Sequence, residues 1–401
     1  MYDQAAGLKR QVTVAIDRAV PNLVALSDWM YAHPEIGHQE VAAVERITAA
    51  LTASGAQVAR GVAGLATAFS AELPGPSHGP RIGILAEYDA LPEVGHGCGH
   101  NIIATAALGA GLGLAAIGAS LPGRIRLLGC PAEESAVDNA GGKIPMIDAG
   151  CFEGLDAALM IHPYTDDAVA DESSLVAYGL VFEFFGHPAH AAANPHEGIN
   201  ALDAMIIFFS SVGLLRQQMR SDARVHGIIT HGGTAPNVIP AHTVARFRVR
   251  ATDDTYARDL VARVIACAEA GARAAGARMT WHEYARPYLD MRPNQTLGDL
   301  LRVGLSAVGR RAATRREGTG AGSTDFGNVS HVVPSAFAYL GICGPEAGWH
   351  TREVAAATIT PRGHAAIRDG ALLLACAAID LLCDDALRAA ARAEFDAMQG
   401  A

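Results

Sequence analysis

Short apolar runs, each closing on a polar loop, recur through the first part of the chain: 81–86 before Glu87-Tyr88-Asp89, 124–128 before Glu133-Glu134, and 157–161 before His162. Segments of helical length separate them. Residues 8–56 read as helices with polar faces, broken at His33-Pro34-Glu35-Ile36-Gly37. Strand-like runs alternating with helices predict an α/β fold built on a mostly parallel, helix-covered sheet. Ligands collect at the carboxyl ends of the strands in such sheets, where the polar loops fall.

The pattern changes near residue 173. Residues 175–185 alternate like an antiparallel strand, a helix follows over 199–220, then strands at 225–231 and 243–251, a helix over 253–275 and a strand at 278–284. This β-α-β-β-α-β order predicts a ferredoxin-like α+β unit. From Asn294 the chain returns to helix, strand (336–340) and a loop holding His350, and the tail from Asp384 reads as an amphipathic surface helix. The unit is therefore an insertion: one domain over 1–172 and 289–401, which carries the candidate chemistry, is interrupted by a second over 173–288.

Composition narrows the function. At 401 residues the chain exceeds what one core usually serves, and 50% hydrophobic content excludes global disorder. A net charge of −10 without any basic run argues against nucleic acid. The uncharged stretch 102–122 approaches the length of a membrane span, but its Ala and Gly content suits a helix packed inside an α/β domain, so no membrane is expected. Seven scattered cysteines suit reduced thiols of a cytoplasmic protein, and Met-Tyr-Asp-Gln does not open a signal peptide.

The candidate chemistry lies at the strand ends. Cys98 and His100, two apart at the start of a long apolar helix, are ligands for a borderline-soft divalent metal. Of the vicinal Glu133 and Glu134, which project differently, one can ligate while the other acts as general base. His162 and His350 alone would read as ordinary polar residues; both follow strand-like apolar runs and join the set. Asp89 is placed to orient a ligand imidazole. Lys143 and Asp138 read as loop charges, and His38 and His96 have no such support.

These segments together, Ala86-Glu87-Tyr88-Asp89-Ala90-Leu91-Pro92, Gly95-His96-Gly97-Cys98-Gly99-His100-Asn101 and Glu133-Glu134, resemble the metal-dependent amidohydrolases that include aminoacylase, carboxypeptidase G and the indole-acetyl-amino-acid hydrolases. The resemblance is nearest to the branch of p-aminobenzoyl-glutamate hydrolase and β-alanyl-lysine-type dipeptidases, and runs from His33 to Glu353. It implies two divalent metal ions per chain, zinc first with manganese or cobalt as alternatives. Cys98 would bridge them, with His100, Glu134, His162 and His350 completing the shell and Glu133 as general base. It further implies that 1–172 and 289–401 form the catalytic domain and 173–288 a lid or dimerisation domain. The homodimer would form through that inserted domain, and His190 would reach the neighbouring site as oxyanion donor. Asn237 and Arg250 would contact substrate, and Ser323 and Thr324 would line the pocket, whose specificity loops would be 163–174 and 318–326.

Two departures stand out. The better-known aminoacylases have Asp where this chain has Cys98, and many have His-x-Asp where it has Glu87-Tyr88-Asp89. The resulting expectation is cleavage of the amide bond of an N-acyl or aroyl amino acid or a dipeptide, by metal-activated water with Glu133 as base. Deamination of an arylamine on the same site, or a catalytically inactive binding homologue, are the alternatives.

Overall fold

The computed structural model describes residues 2–313 and 322–399. They fall into two compact units, one running from the N-terminus to Ser173 and resuming at Met291, the other holding Ser174–Asp290 and the short segment ending at Thr324.

In the first unit the order is α1 (Tyr2–Ala32), α2 (Val41–Ala53), β1 (Gln57–Arg60), β2 (Phe69–Glu72), β3 (Arg81–Glu87), α3 (His100–Ala116), β4 (Arg124–Cys130), α4 (Lys143–Asp148), β5 (Ala157–Tyr164) and β6 (Ala168–Val169). The second unit supplies β7 (Val176–Phe185), α5 (Ala201–Leu215), β8 (Arg224–His231), β9 (His242–Ala251), α6 (Asp254–Ala275) and β10 (Arg278–Tyr288). The first unit then continues with α7 (Gln295–Ala307), α8 (Phe326–Ser330), β11 (Ser335–Gly341), α9 (Arg352–Ala357), α10 (Pro361–Cys383) and α11 (Asp385–Gln399).

The first sheet has seven strands in the order β1-β2-β4-β3-β5-β11-β6. Its centre, β4-β3-β5-β11, is parallel, and antiparallel strands flank it on both sides. The central strands are buried almost throughout, because helices cover both faces of a parallel sheet and leave no polar side to pattern. The uncharged stretch forms α3, buried nearly all round between the sheet, α1 and α10. Gly109 permits that approach: a Cβ there would stand 2.7 Å from Leu23 and 2.9 Å from Ala371. No helix among the described residues is long and apolar enough to cross a membrane.

The second sheet, β10-β7-β9-β8, is antiparallel and has the ferredoxin-like order. In β9 every second residue (Thr243, Ala245, Phe247, Val249, Ala251) is buried against α5 and α6, while Arg246, Arg248 and Arg250 take the other face. The short strands β1, β2 and β6 are not legible in the sequence; two to four residues carry too little periodicity to register.

Candidate functional site

The register of the parallel strands brings their carboxyl ends level: Glu87 lies opposite Cys130 and Tyr339 opposite His162. Glu133 and Glu134 leave β4 three residues later, and α3 begins at the same edge with His100. Gly99, at the N-cap of α3, has φ 76°, and a Cβ on it would come within 2.7 Å of Pro163. Glycine therefore lets the Cys98–His100 turn lie against β5. Two non-glycine residues share this left-handed conformation beside the site, Ala132 (φ 53°) and His350 (φ 64°). Backbone held there costs energy and is typically found where a side chain must be aimed.

The expected ligands of the first unit converge. Sγ of Cys98 lies 3.5 Å from Nε2 of His162, and Nε2 of His350 lies 3.4 Å from Oε1 of Glu134. Nε2 of His100 is 3.9 Å from Oε2 of Glu133 and 4.0 Å from Oε1 of Glu134. Three triplets have donor atoms within 4.8 Å of one another: Cys98-His100-His162, Cys98-Glu134-His350 and Glu87-His100-Glu133.

The imidazoles are oriented for such a role. His100 Nδ1 is 2.9 Å from the Asp89 carboxylate, an acceptor, so Nδ1 donates there and Nε2 is the nitrogen turned to a cation. Burial alone would lower the pKa of this ring, but Asp89 and then Cys98 outweigh it and raise it, so a bound cation would take the place of a proton on Nε2. Asp89 also accepts the backbone N–H of Glu134 at 2.9 Å, linking two candidate ligands through one carboxylate. His162 Nδ1 donates to the Pro163 carbonyl at 2.6 Å, leaving Nε2 as the acceptor. Trp349 Nε1 donates to the Cys98 sulfur at 3.3 Å.

A divalent ion fits this donor set. Buried Nε2 of His100 and Oε1 of Glu134 make no hydrogen bond, which a closed apolar interior rarely tolerates. Their separations are too long for hydrogen bonds and suit donors sharing an ion with bonds of about 2 Å.

The electrostatics point the same way. Burial, then the charges of Glu87 and Glu134, push the Glu133 carboxyl well above the usual range. Burial also raises Glu134, against the pull of His100 and His350. Burial and Glu134 push the Cys98 thiol up, so a thiolate there calls for a cation. Burial alone would raise Asp89, but His100 outweighs it and holds the carboxyl low. Burial lowers His162 to about 4, keeping it neutral.

Three participants escape the sequence reading. Lys143 is no loop charge: it is fully buried, its ammonium bonded to Glu87 Oε1 at 2.5 Å and to Oδ1 of Asp325, while its backbone N–H donates to Oδ2 of Asp325 at 3.0 Å. In the sequence Asp325 stands out only as part of a pocket loop, and Glu87 only as a departure. The one available signal is a lysine opening the apolar run Ile-Pro-Met-Ile.

The remaining candidates lie in the second unit. The Arg250 guanidinium donates to the Ser323 hydroxyl at 2.7 Å, joining two expected substrate residues; burial, then Arg248, lower its pKa. Thr324 is half-buried beside Ser323 in sequence. His190 pairs with Val238 in an isolated bridge, and the Ala191 N–H donates to the Asn237 carbonyl at 3.0 Å, so the two loops are laced together. Nδ1 of His190 accepts the backbone N–H groups of Ala192 (3.3 Å) and Ala193 (3.1 Å), which leaves Nε2–H free to donate. Both His190 and Asn237 are exposed. Of the two expected specificity loops, residues 318–321 lie outside the described residues.

A family model, Peptidase family M20/M25/M40, matches residues 83–376. The chain belongs to this family. It is a hydrolase acting on amide or peptide bonds. Among relatives, it is 36% identical to the Xaa-Arg dipeptidase of Mus musculus over 97% of this chain and 92% of that protein. It is 32% identical to one of the subunits of the p-aminobenzoyl-glutamate hydrolase of Escherichia coli, over 75% of this chain and 65% of that protein. Its fold matches that of a dinuclear metal-binding M20 peptidase of Bacillus subtilis, with a TM-score of 0.63 at 23% identity, over 91% of this chain and 99% of the other.

Proposed function

We propose that this chain is a cytoplasmic, metal-dependent dipeptidase or acyl-amino-acid hydrolase whose substrates carry a free carboxylate beside the scissile amide. The observation that carries the reading is the convergence of Cys98, His100, Glu134, His162 and His350, with Glu133 beside them, at one edge of the parallel sheet. The relatives named above, a dipeptidase and an aroyl-glutamate hydrolase, supply the substrate classes.

Two divalent ions held by these donors, zinc in the first instance with manganese or cobalt as alternatives, would polarise the amide carbonyl and acidify a water molecule. The rest is work for the protein. Glu133, raised by burial and then by the charges of Glu87 and Glu134, takes the proton of the attacking water and returns it to the leaving nitrogen. His190, its Nδ1 already occupied, donates from Nε2 to the carbonyl oxygen as charge develops there. Arg250, steadied by Ser323, pairs with the substrate carboxylate, and Asn237 and Thr324 complete its contacts.

A homodimer through the second unit suits its surface. Strand β8 ends its sheet with Ile228 and Ile229 64% and 42% exposed, and Ile206 and Leu214 on α5 are 53% and 77% exposed. The seven free cysteines suit a reducing compartment.

The test is a screen of metal-reconstituted protein against dipeptides, aroyl-glutamates, N-acyl amino acids and arylamines, read by product mass. Cleavage of carboxylate-bearing amides supports the proposal. Ammonia release from an arylamine would favour deamination, and no turnover at full metal loading would leave a binding homologue. Arg250→Ala should raise KM at least ~10-fold for free-carboxylate substrates and leave their amides unchanged, the scale of one charge-assisted bidentate pair. An equal effect on both would overturn its role.

A further inference from the structure

Glu87, the last residue of β3, is 1% exposed and splits its two oxygens between different tasks. Oε1 is fixed by the Lys143 ammonium at 2.5 Å, and Lys143 is itself anchored by Asp325. Oε2 has no hydrogen-bond partner and lies 3.6 Å from Nε2 of His100. That nitrogen is also buried and without a hydrogen bond, while the other ring nitrogen is held by Asp89. A carboxylate oxygen and a ring nitrogen therefore face each other in the interior at a separation too long for a good hydrogen bond, an arrangement a cation between the two would relieve. Oε2 of Glu133 and Oε1 of Glu134 approach the same nitrogen at 3.9 and 4.0 Å.

We infer that Glu87 is a further metal ligand, which makes the position at His100 rich in carboxylate oxygen and adapts it to manganese. The inference rests on the metal-dependent reading above and adds Glu87 to its five ligands. Carboxylate oxygen suits manganese, whereas thiolate and imidazole suit zinc, so a carboxylate here narrows the intrinsic advantage of zinc at this position. Cys98 is within reach of both positions, in the Cys98-His100-His162 and Cys98-Glu134-His350 groups; the second group, with one carboxylate, keeps its preference for zinc. Lys143 and Asp325 act as positioning residues: by holding one oxygen of Glu87 they aim the other.

Manganese and zinc binding to apoprotein is measured by equilibrium dialysis with elemental analysis and by manganese electron paramagnetic resonance. Wild type is compared with Glu87→Gln, which keeps the size and an acceptor for Lys143. Glu87→Gln should weaken manganese at least ~10-fold, the lower end for losing support at a metal site. Zinc binding, and the sulfur-to-metal band of the cobalt-loaded protein, should be retained. Unchanged manganese affinity and spectrum overturn the role of Glu87 while leaving the metal reading intact; a wild type that binds neither ion overturns that reading instead. Should the variant not fold, crystals of manganese-loaded wild type decide by anomalous scattering. Glu87 Oε2 roughly 2 Å from an ion supports the inference, and beyond bonding distance it fails.

Discussion

The two units treat their polar side chains in opposite ways. In the first, Glu87, Asp89, His100, Lys143 and Asp325 are almost wholly removed from water and compensate one another through a continuous set of contacts. In the second, His190 and Asn237 stand exposed on loops, and Arg250 is half-buried against a serine. A dry site strengthens every charge within it but must satisfy all of them. An exposed loop costs little and adapts easily, but aims its groups only through its own backbone. The first arrangement suits holding cations and moving protons, and the second suits groups that meet the substrate.

The contrast breaks most sharply at Glu133. With an unchanged shell, Glu133→Gln should retain metal and lose ~10²–10⁴ in kcat, the range for general acid–base work. Near-normal turnover by fully metallated Glu133→Gln would remove the buried unit's claim to the chemistry.

Next in size is the cost of disturbing each unit's ion pairs. Lys143→Met leaves Glu87 and Asp325 buried without their cation and should cost ~3–5 kcal/mol in denaturant unfolding. The exposed Arg220–Asp253 pair of the second unit, 57% and 47% exposed, should lose under ~1 kcal/mol on Arg220→Ala. Equal losses would mean that burial does not separate the units.

His190 tests whether an exposed group still reaches the reaction. His190→Ala should lower kcat ~10²–10³, the scale of one oxyanion donor. If the second unit pairs two chains and His190 serves the partner, co-refolding inactive Glu133→Ala and His190→Ala proteins should restore about a quarter of wild-type activity, since half the dimers would hold one intact site. Heterodimers verified by native mass spectrometry that stay inactive would return His190 to its own chain.

The smallest effect concerns pH. Burial, then Asp89, raise Glu40 from 4.5 to about 7, against hydrogen bonds from Thr67 and Ala132. Between those values the folded chain keeps a proton that the unfolded chain has shed, so this group's contribution to stability falls as pH rises through the window. Glu40→Gln should thus stabilise the fold at pH 8, by at most about 3 kcal/mol in denaturant unfolding, and change little at pH 4. A larger gain at pH 4 than at pH 8 would contradict the shift.

The sequence's legibility follows the same divide. Cys98, His100, Glu133 and Glu134 are readable because they cluster locally beside a helix and a strand; His162 and His350 are readable because each follows an apolar run. The Lys143 network is not. Its partners lie 56 and 182 residues away, and nothing local distinguishes a buried lysine from a solvated one. The pairing of Arg250 with Ser323, 73 residues apart, is equally invisible in the sequence, although each residue stands out there by itself.

What the sequence by itself determined was periodicity and local chemistry: a helix-covered parallel sheet, an inserted antiparallel unit that alternates cleanly in β9, and the metal-binding residue types at the strand ends. Tertiary structure alone decided which charges are buried, which ring nitrogens of His100 and His162 are already engaged, and that Glu87 faces His100. Those outcomes depend on what stands opposite a side chain in space, and the energy of a charge is set by that neighbour and by the exclusion of water, neither of which is encoded in residue order.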